Sequence, residues 1–488
     1  MKQLPHSLLV GPSIIRAVLA VSLLLSLSLN AHAETRKPNI ILCMADDHGW
    51  ADVGYHDHPF AKTPHLDQMA KEGIRFDRWY AAAPVCSPTR GSCLTGRHPY
   101  RYGIYTANAG HMKPEEITLA EVLKKQGYTT GHFGKWHLGT LTKTVRDANR
   151  GGTEKGLPHY SPPWENGFDE CFSTESKVPT YDPMRNPAKV SREAKRNVPE
   201  GGSYGTAYWT GPDERVPDDQ LRGDDSKLIM DRATRFIESA VENHKPFFAV
   251  IWFHAPHTPV VASEQQRALY PDHPNGLYGQ HYHGCISALD DQVGRLRSQL
   301  SALGQSNDTM LWYCSDNGPE SQATTGAGSA GHFRGRKRSL YEGGVRVPGL
   351  LVWPAQIKTA SVNTIPCVTS DYFPTILDAL NLPMPNRSYD GISLMPLIRG
   401  ETRERAEPIF FQSKNVATVH RNQFKLVSIG TQKDKISGAK VELYNLEKDP
   451  AESNNLATTH PQLVQELQTQ LASWIESCVR SDRGDDYR

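Results

Sequence analysis

The chain has 488 residues, 38% hydrophobic and 22% charged, with a formal net charge of +1 and a mean hydropathy of −0.53. That length allows one large domain with a smaller companion, or three average ones, and the near-neutral, intermixed charge gives no reason to expect nucleic acid as a partner. Eight cysteines with no C-x-x-C pair are too sparse for a disulfide scaffold.

The first 33 residues stand apart. Lys2 and Arg16 precede an apolar run from Ala17 to Leu29, which ends in Ala31-His32-Ala33, the plan of a cleavable secretory signal. The run is short and serine-broken against the ~20 residues of a membrane helix. An uncleaved anchor is the competing reading. Export to a periplasm or to the outside is expected, with no stable membrane span after cleavage.

The mature chain opens with a continuous apolar run, Pro38 to Met44, that reads as a buried parallel strand and ends in Asp46-Asp47-His48-Gly49. Acidic pairs in loops are usually just solvated. This pair follows a buried strand, at the end where open α/β sheets place their sites. An amphipathic helix is expected from Leu66 to Glu72. Thr118 and Glu121 form a capping box for a helix from Leu119 to Gln126, which stops at Gly127. The strand Tyr128–Thr130 then leads to Gly134-Lys135-Trp136-His137-Leu138-Gly139, where Lys135 and His137 can project to one side if the segment is extended.

Residues 140–225, rich in Gly, Pro and charge, read as long loops over an active face. A helix Ser226–Asn243 and a strand from Pro246 to Phe253 follow, ending in His254-Ala255-Pro256-His257. Asp290 and Asp291 lie on a helix Ser287–Leu303, about 100° apart, and suit capping and salt bridges better than a shared metal. Thr309 to Cys314 is another buried strand, again ending in hard oxygen ligands, Ser315-Asp316-Asn317-Gly318. Four cations fall within five residues at Arg334, Arg336, Lys337 and Arg338. Leu350–Trp353 is a strand and a helix begins at Ser370. From about Thr402 short β-prone pieces precede a helix whose stripe Leu463, Val464, Leu467, Leu471, Trp474, Ile475 and Cys478 has helical spacing.

The stretch Val85 to Arg97, V-C-S-P-T-R-G-S-C-L-T-G-R, resembles the signature of the type I, formylglycine-dependent sulfatases, C-[S/A]-P-[S/T]-R-x-x-x-L-T-G-R. Only Cys93 stands where a larger aliphatic is usual. The strings G-K-W-H-L-G at Gly134, S-D-N-G at Ser315, and R-G-R-K through E-G-G-V-R-V-P from Arg334 to Pro348 are similar to further motifs of that family, and L-Y-N-L-E-K-D-P-A-E to its C-terminal part. The order is the family's, over residues 38 to about 457, and the likeness is to the arylsulfatase and N-acetylgalactosamine-sulfatase branch.

The resemblance implies an α/β, alkaline-phosphatase-like sandwich with a large mixed sheet between helices, and a small C-terminal antiparallel-sheet subdomain. The division expected is 1–33 signal, 34–401 catalytic domain and 402–488 C-terminal subdomain. It implies that a maturation enzyme converts Cys86 to formylglycine, whose hydrate attacks sulfur with one hydroxyl and expels sulfate with the other. Asp46, Asp47, Asp316 and Asn317, with residue 86, would bind one divalent cation, Ca²⁺ or alternatively Mg²⁺. Arg90 would balance residue 86, and Lys135, His257 and Lys337 would bind sulfate. Asp316 would take the attacking proton, His257 with Lys337 would protonate the leaving oxygen, and His137 would deprotonate the second hydroxyl. Glu342 and Arg346 are read as structural, His254 as structural or sulfate-contacting, and His48 as a substrate contact or drift. The substrate implied is a sulfated carbohydrate or small sulfate ester. Phosphonate or phosphate ester hydrolysis on the same scaffold, a non-catalytic binder and a cysteine-thiolate hydrolase are the rivals.

Overall fold

A computed structural model describes residues 37–188, 198–321, 327–432, 434 and 440–488; the expected signal segment lies outside them. No described helix is long and apolar enough to cross a membrane.

The strands are, in chain order, β1 (Asn39–Ala45), β2 (Ile74–Phe76), β3 (Trp79–Tyr80), β4 (Thr129–Lys135), β5 (Glu170–Thr174), β6 (Tyr208–Gly211), β7 (Glu214–Arg215), β8 (Phe247–Trp252), β9 (Thr309–Ser315), β10 (Arg346–Val347), β11 (Gly349–Val352), β12 (Ser361–Asn363), β13 (Cys367–Val368), β14 (Ile409–Ser413), β15 (Val416–Arg421), β16 (Phe424–Ile429) and β17 (Val441–Asn445). Ten of them form one mixed sheet in the order β12-β2-β11-β9-β1-β8-β4-β5-β6-β7. Its centre, β9-β1-β8-β4-β5, is parallel. Antiparallel pairs extend it on both sides, β11 against β9 and β6 against β5. Every residue of β1, β8 and β9 is buried, as continuous apolar runs require when both faces are covered.

One face carries the helices α4 (Asp225–Glu242) and α5 (Gly276–Ala302), with Ile229, Phe236 and Ile286 packed on Ile41, Phe247 and Ile251. On the other face, α2 (Cys86–Thr95), α3 (Leu119–Lys125) and α6 (Tyr372–Ala379) place Leu94, Leu123 and Phe373 in the same core as Leu42, Val250 and Trp312. The expected capping box of α3 is present, Thr118 Oγ1 accepting from the Glu121 N–H and Glu121 from the Thr118 N–H. Asp290 caps α1 (Pro64–Glu72), accepting from the N–H groups of His65 and Leu66. Asp291 meets Gln266 rather than a cation.

Residues 140–225 are not all loop: β5, β6 and β7 fall there and complete one edge of the sheet. They are two to five residues long, too short for a local period to announce them. All eight cysteines are free and buried, small core residues rather than bridges.

Strands β14–β17 form a separate four-stranded antiparallel sheet. Helix α7 (Pro461–Asp482) covers it, and Leu467, Leu471, Trp474 and Ile475 join Val419 and Leu426 in one cluster. This sheet is pinned to the E-G-G segment by a buried charge group. Lys425 Nζ reaches Glu342 at 3.0 Å and Glu452 at 2.7 Å, all fully buried, while Tyr80 donates to Glu342 at 2.8 Å. Glu342 and Arg346 are structural, as expected. Lys425→Met is expected to destabilise the fold by about 3–5 kcal/mol, because two buried carboxylates lose their cation. Denaturant unfolding checks it; a loss below about 1 kcal/mol would mean that water reaches the site.

Candidate active site

The parallel strands set the site. Chain leaving the C-terminal ends of β1, β9, β8 and β4 supplies Asp46-Asp47, Asp316-Asn317, His257 and His137, with Lys135 as the last residue of β4. Helix α2 brings Cys86 as its first residue, where the positive end of the helix favours negative charge. All ten residues of α2 are buried, and its polar side chains Thr89, Arg90, Ser92 and Thr95 are hydrogen-bonded. Thr89 Oγ1 accepts from Ala83 N–H and donates to Ala83 C=O. Gly96 ends the helix at φ +69, and a Cβ there would sit 2.8 Å from Phe373 Cβ.

Cys86 Sγ lies 3.5 Å from Asp46 Oδ1. Lys135 Nζ donates to Asp46 Oδ2 at 2.6 Å. Arg90, stacked over Trp252, donates to Asp316 Oδ2 from Nε at 3.1 Å and from a terminal nitrogen at 2.6 Å. Its other arm donates to Lys135 C=O. Lys337 Nζ bridges both oxygens of Asp47 at 2.6 and 2.8 Å. Asn317 donates to Asp47 Oδ1 at 2.7 Å. His257 Nε2 is 3.6 Å from Asp47 Oδ2, and its Nδ1 donates to Thr258 C=O. All ten residues expected at the site are thus placed within one connected region, and Lys337 is buried rather than part of a solvated basic loop.

Burial opposes every charge here, so neighbours decide. Burial acts against the Asp46 carboxylate, but Lys135, Arg90 and Lys337 hold it well below the usual range. Burial and then Asp46 push Asp316 up to about 7, and burial raises Asp47 despite Lys337. Burial, then Asp46, pushes an unmodified Cys86 thiol up to about 12. His137 and His257 are held neutral by burial first, then by the nearby lysines.

The donor set could hold a metal ion. Asp46, Asp47, Cys86 and His257 bring ligand atoms within 4.8 Å of one another. Asp316 lies against the same group, and Asn317 Oδ1 is buried with no hydrogen-bond partner, a polar atom that calls for an occupant.

A second group, Asp52, His58 and His283, is not built for a cation. His58 Nδ1 accepts from the N–H groups of Phe60 and Ala61, so its proton is on Nε2, facing Asp52. His273 Nδ1 accepts from Asn275 N–H and its Nε2 meets His283 Nδ1, which leaves the proton on His283 Nε2. Nitrogens that carry protons there cannot ligate.

Two expected histidines are structural. His254 is buried between Asp225 at 2.8 Å and Thr174 at 2.8 Å. His48 is buried between Tyr313 and the Asp52 carbonyl, and is therefore no substrate contact. The 134–139 segment also departs from expectation: His137 has φ +59, so it is not extended, yet Lys135 and His137 line one cavity.

That cavity, about 250 Å³, is lined by Cys86, Lys135, His137, His257 and Lys337 together with Asn108, Asn149, Lys177, Arg338 and Lys414. Of the last five only Arg338 falls within a motif stretch; Asn108, Asn149, Lys177 and Lys414 carried no motif signal. Lys414 comes from the β14–β15 turn, so the C-terminal sheet contributes to the pocket. Arg338 is clamped to Glu320. A larger cavity of about 540 Å³ near Lys358, Asn363 and Arg399 contains none of these groups.

The family model described as Sulfatase matches residues 38–382, and that described as N-sulphoglucosamine sulphohydrolase, C-terminal, matches residues 328–479. N-acetylgalactosamine-6-sulfatase of Mus musculus is 34% identical over 418 residues, 82% of this chain and 74% of its own length. Arylsulfatase A of Homo sapiens is 30% identical over 486 residues, 91% of this chain and 89% of its own. The crystal structure of Ps i-CgsB in complex with k-i-k-neocarrahexaose superposes with a TM-score of 0.75 at 26% identity, covering 93% of this chain and 97% of that one.

Proposed function

The chain belongs to the sulfatase family and is a sulfuric ester hydrolase, and we propose that it removes sulfate from a sugar of a sulfated carbohydrate, using formylglycine made from Cys86 and one divalent cation. The observation that carries this reading is the convergence of three carboxylates and three cations on residue 86 at the wall of a small polar cavity. Sulfated-glycan substrates are supported by the relatives, among them the N-acetylgalactosamine-6-sulfatase and the protein solved with a neocarrahexaose. The cavity is smaller than the roughly 300–1,000 Å³ that encloses a drug-sized ligand, a volume suited to sulfate and one sugar ring.

Formylglycine at position 86, once hydrated, would supply one hydroxyl as the nucleophile toward sulfur and a second to expel sulfate, dividing one hard step into two. Asp46, Asp47, Asp316 and Asn317 would hold the cation, which supplies Lewis-acid polarisation of the sulfate and stabilises a deprotonated hydroxyl. All-oxygen donors favour Ca²⁺, with Mg²⁺ the alternative.

The remaining chemistry belongs to side chains. Arg90 holds Asp316 and balances charge beside residue 86. Lys135 and Lys337 neutralise sulfate oxygens as charge builds, a preorganised electrostatic effect. Asp316 accepts the attacking proton. His257 presents Nε2 to the pocket because Nδ1 is committed to Thr258; the charge of a bound sulfate raises its proton affinity, and with Lys337 it protonates the leaving oxygen. His137 removes the proton of the second hydroxyl. A maturation enzyme that converts Cys86, and export directed by residues 1–33, complete the reading.

Comparing sulfate with phosphate release from matched esters tests the reaction class; faster phosphate release would reverse it. Dialysis against EDTA is expected to abolish turnover and lower Tm, since a ligand bound only by the folded state stabilises it. Added Ca²⁺ should restore both. Full activity in protein shown by elemental analysis to be metal-free would remove the cation from the account.

A further inference from the structure

Two loops that frame the cavity meet through side chains that no motif marks. Asn108 follows α2 and Asn149 follows β4. Asn149 Nδ2 donates to Asn108 Oδ1 at 3.0 Å and lies 3.4 Å from Oγ of buried Ser176. Arg150 ties the same loops a second time, donating to Gly110 C=O at 2.9 Å.

The shared atom fixes a proton. With Asn149 offering an N–H, the atom of Asn108 between the two partners is its carbonyl oxygen. The other partner, His137 Nε2 at 2.7 Å, must then be a donor. A neutral imidazole with its proton on Nε2 carries its lone pair on Nδ1. His137 Nδ1 is buried and has no hydrogen-bond partner, and the residue lines the cavity with Cys86. Asn108 and His137 both have left-handed backbone, φ +61 and +59. Asn adopts it readily, while in His it is uncommon, and such strain gathers at functional positions.

We propose that Asn108, oriented by Asn149, is a positioning residue that fixes the His137 tautomer, so that Nδ1 is the atom that takes and returns a proton in the reaction pocket. The proposal rests on the reading of His137 as a proton-transfer group. The arrangement serves both states of the ring. Neutral or protonated, His137 keeps donating from Nε2 to Asn108, while only Nδ1 changes. Without that acceptor the proton can move to Nδ1, which then presents a donor where an acceptor is required.

Asn108→Gly removes the acceptor without straining a left-handed position, and Asn108→Asp returns one. Imidazole nitrogen-15 shifts of histidine-labelled protein read the tautomer, with His137 assigned by its loss in His137→Ala. The spectra are taken in a Cys86→Ala background, so the state of residue 86 plays no part. The Nε2–H form is expected in the parent and in Asn108→Asp, and a mixture or the Nδ1–H form in Asn108→Gly. In enzyme with Cys86 intact, Asn108→Gly is expected to lose about 10²-fold in kcat, the scale of one proton-transfer group. KM should change little, and Asn108→Asp should recover most of the loss. An Nδ1–H parent, or an unchanged tautomer in Asn108→Gly whatever its kcat, overturns the proposal while leaving His137 as a proton-transfer group if His137→Ala is inactive. A changed tautomer with unchanged kcat overturns the proposal together with the role given to His137.

Discussion

Cys86→Ser is expected to take up sulfate once and keep it. The serine hydroxyl stands where the first hydroxyl of hydrated formylglycine would, next to Asp46 and at the positive end of α2, but it has no geminal partner to expel sulfate. Release then requires water to attack sulfur again, against the negative charge of the ester. Steady turnover should fall on the order of 10⁴–10⁶-fold, the range seen when an activated nucleophile is removed. Intact mass after incubation with substrate should show a persistent sulfate adduct, absent from Cys86→Ala. Repeated turnover by Cys86→Ser would sink the elimination step. A Cys86→Ala variant that still turns over would remove residue 86 from the chemistry.

The second large effect concerns Lys337. Its ammonium spans both oxygens of Asp47 and lines the cavity, so it is placed for sulfate and for the leaving oxygen. Lys337→Ala is expected to cost about 10²–10³ in kcat, as when one preorganised donor is lost. The size should depend on the leaving group. A nitrophenol leaves without needing a proton, so nitrophenyl sulfate should suffer less than a sugar sulfate, whose alcohol needs one. Equal losses on the two substrates would confine Lys337 to charge neutralisation and leave protonation to His257. Because Asp47 loses its cation, the variant is compared at a temperature well below its own Tm.

Much of the site was legible because its signals are local. An apolar run followed at once by Asp46-Asp47, and another followed by Asp316-Asn317, mark strand ends where polar groups must emerge. The Cys86–Arg97 string carries its own glycine stop at Gly96. What escaped depends on contacts far apart in sequence. His48 belongs to Tyr313, 265 positions away, so only tertiary structure separates a packed histidine from a substrate contact. Strands β5–β7 are only two to five residues long, which hides them in a Gly- and Pro-rich stretch. Asn108 meets His137 across 29 positions between irregular segments, and Lys414 enters from a turn of the other sheet. Neither has a period or a motif to announce it. Lys135 and His137 would share a side of an extended segment, but the positive φ of His137 turns the chain locally, something no side-chain pattern encodes.

The mass of the tryptic peptide Trp79–Arg90, from protein matured in its own host or with a maturation enzyme, tests the central claim most directly. The account predicts that residue 86 has lost its thiol and carries an aldehyde that reacts with a hydrazide probe. An intact cysteine in folded, natively matured and fully active enzyme would contradict it.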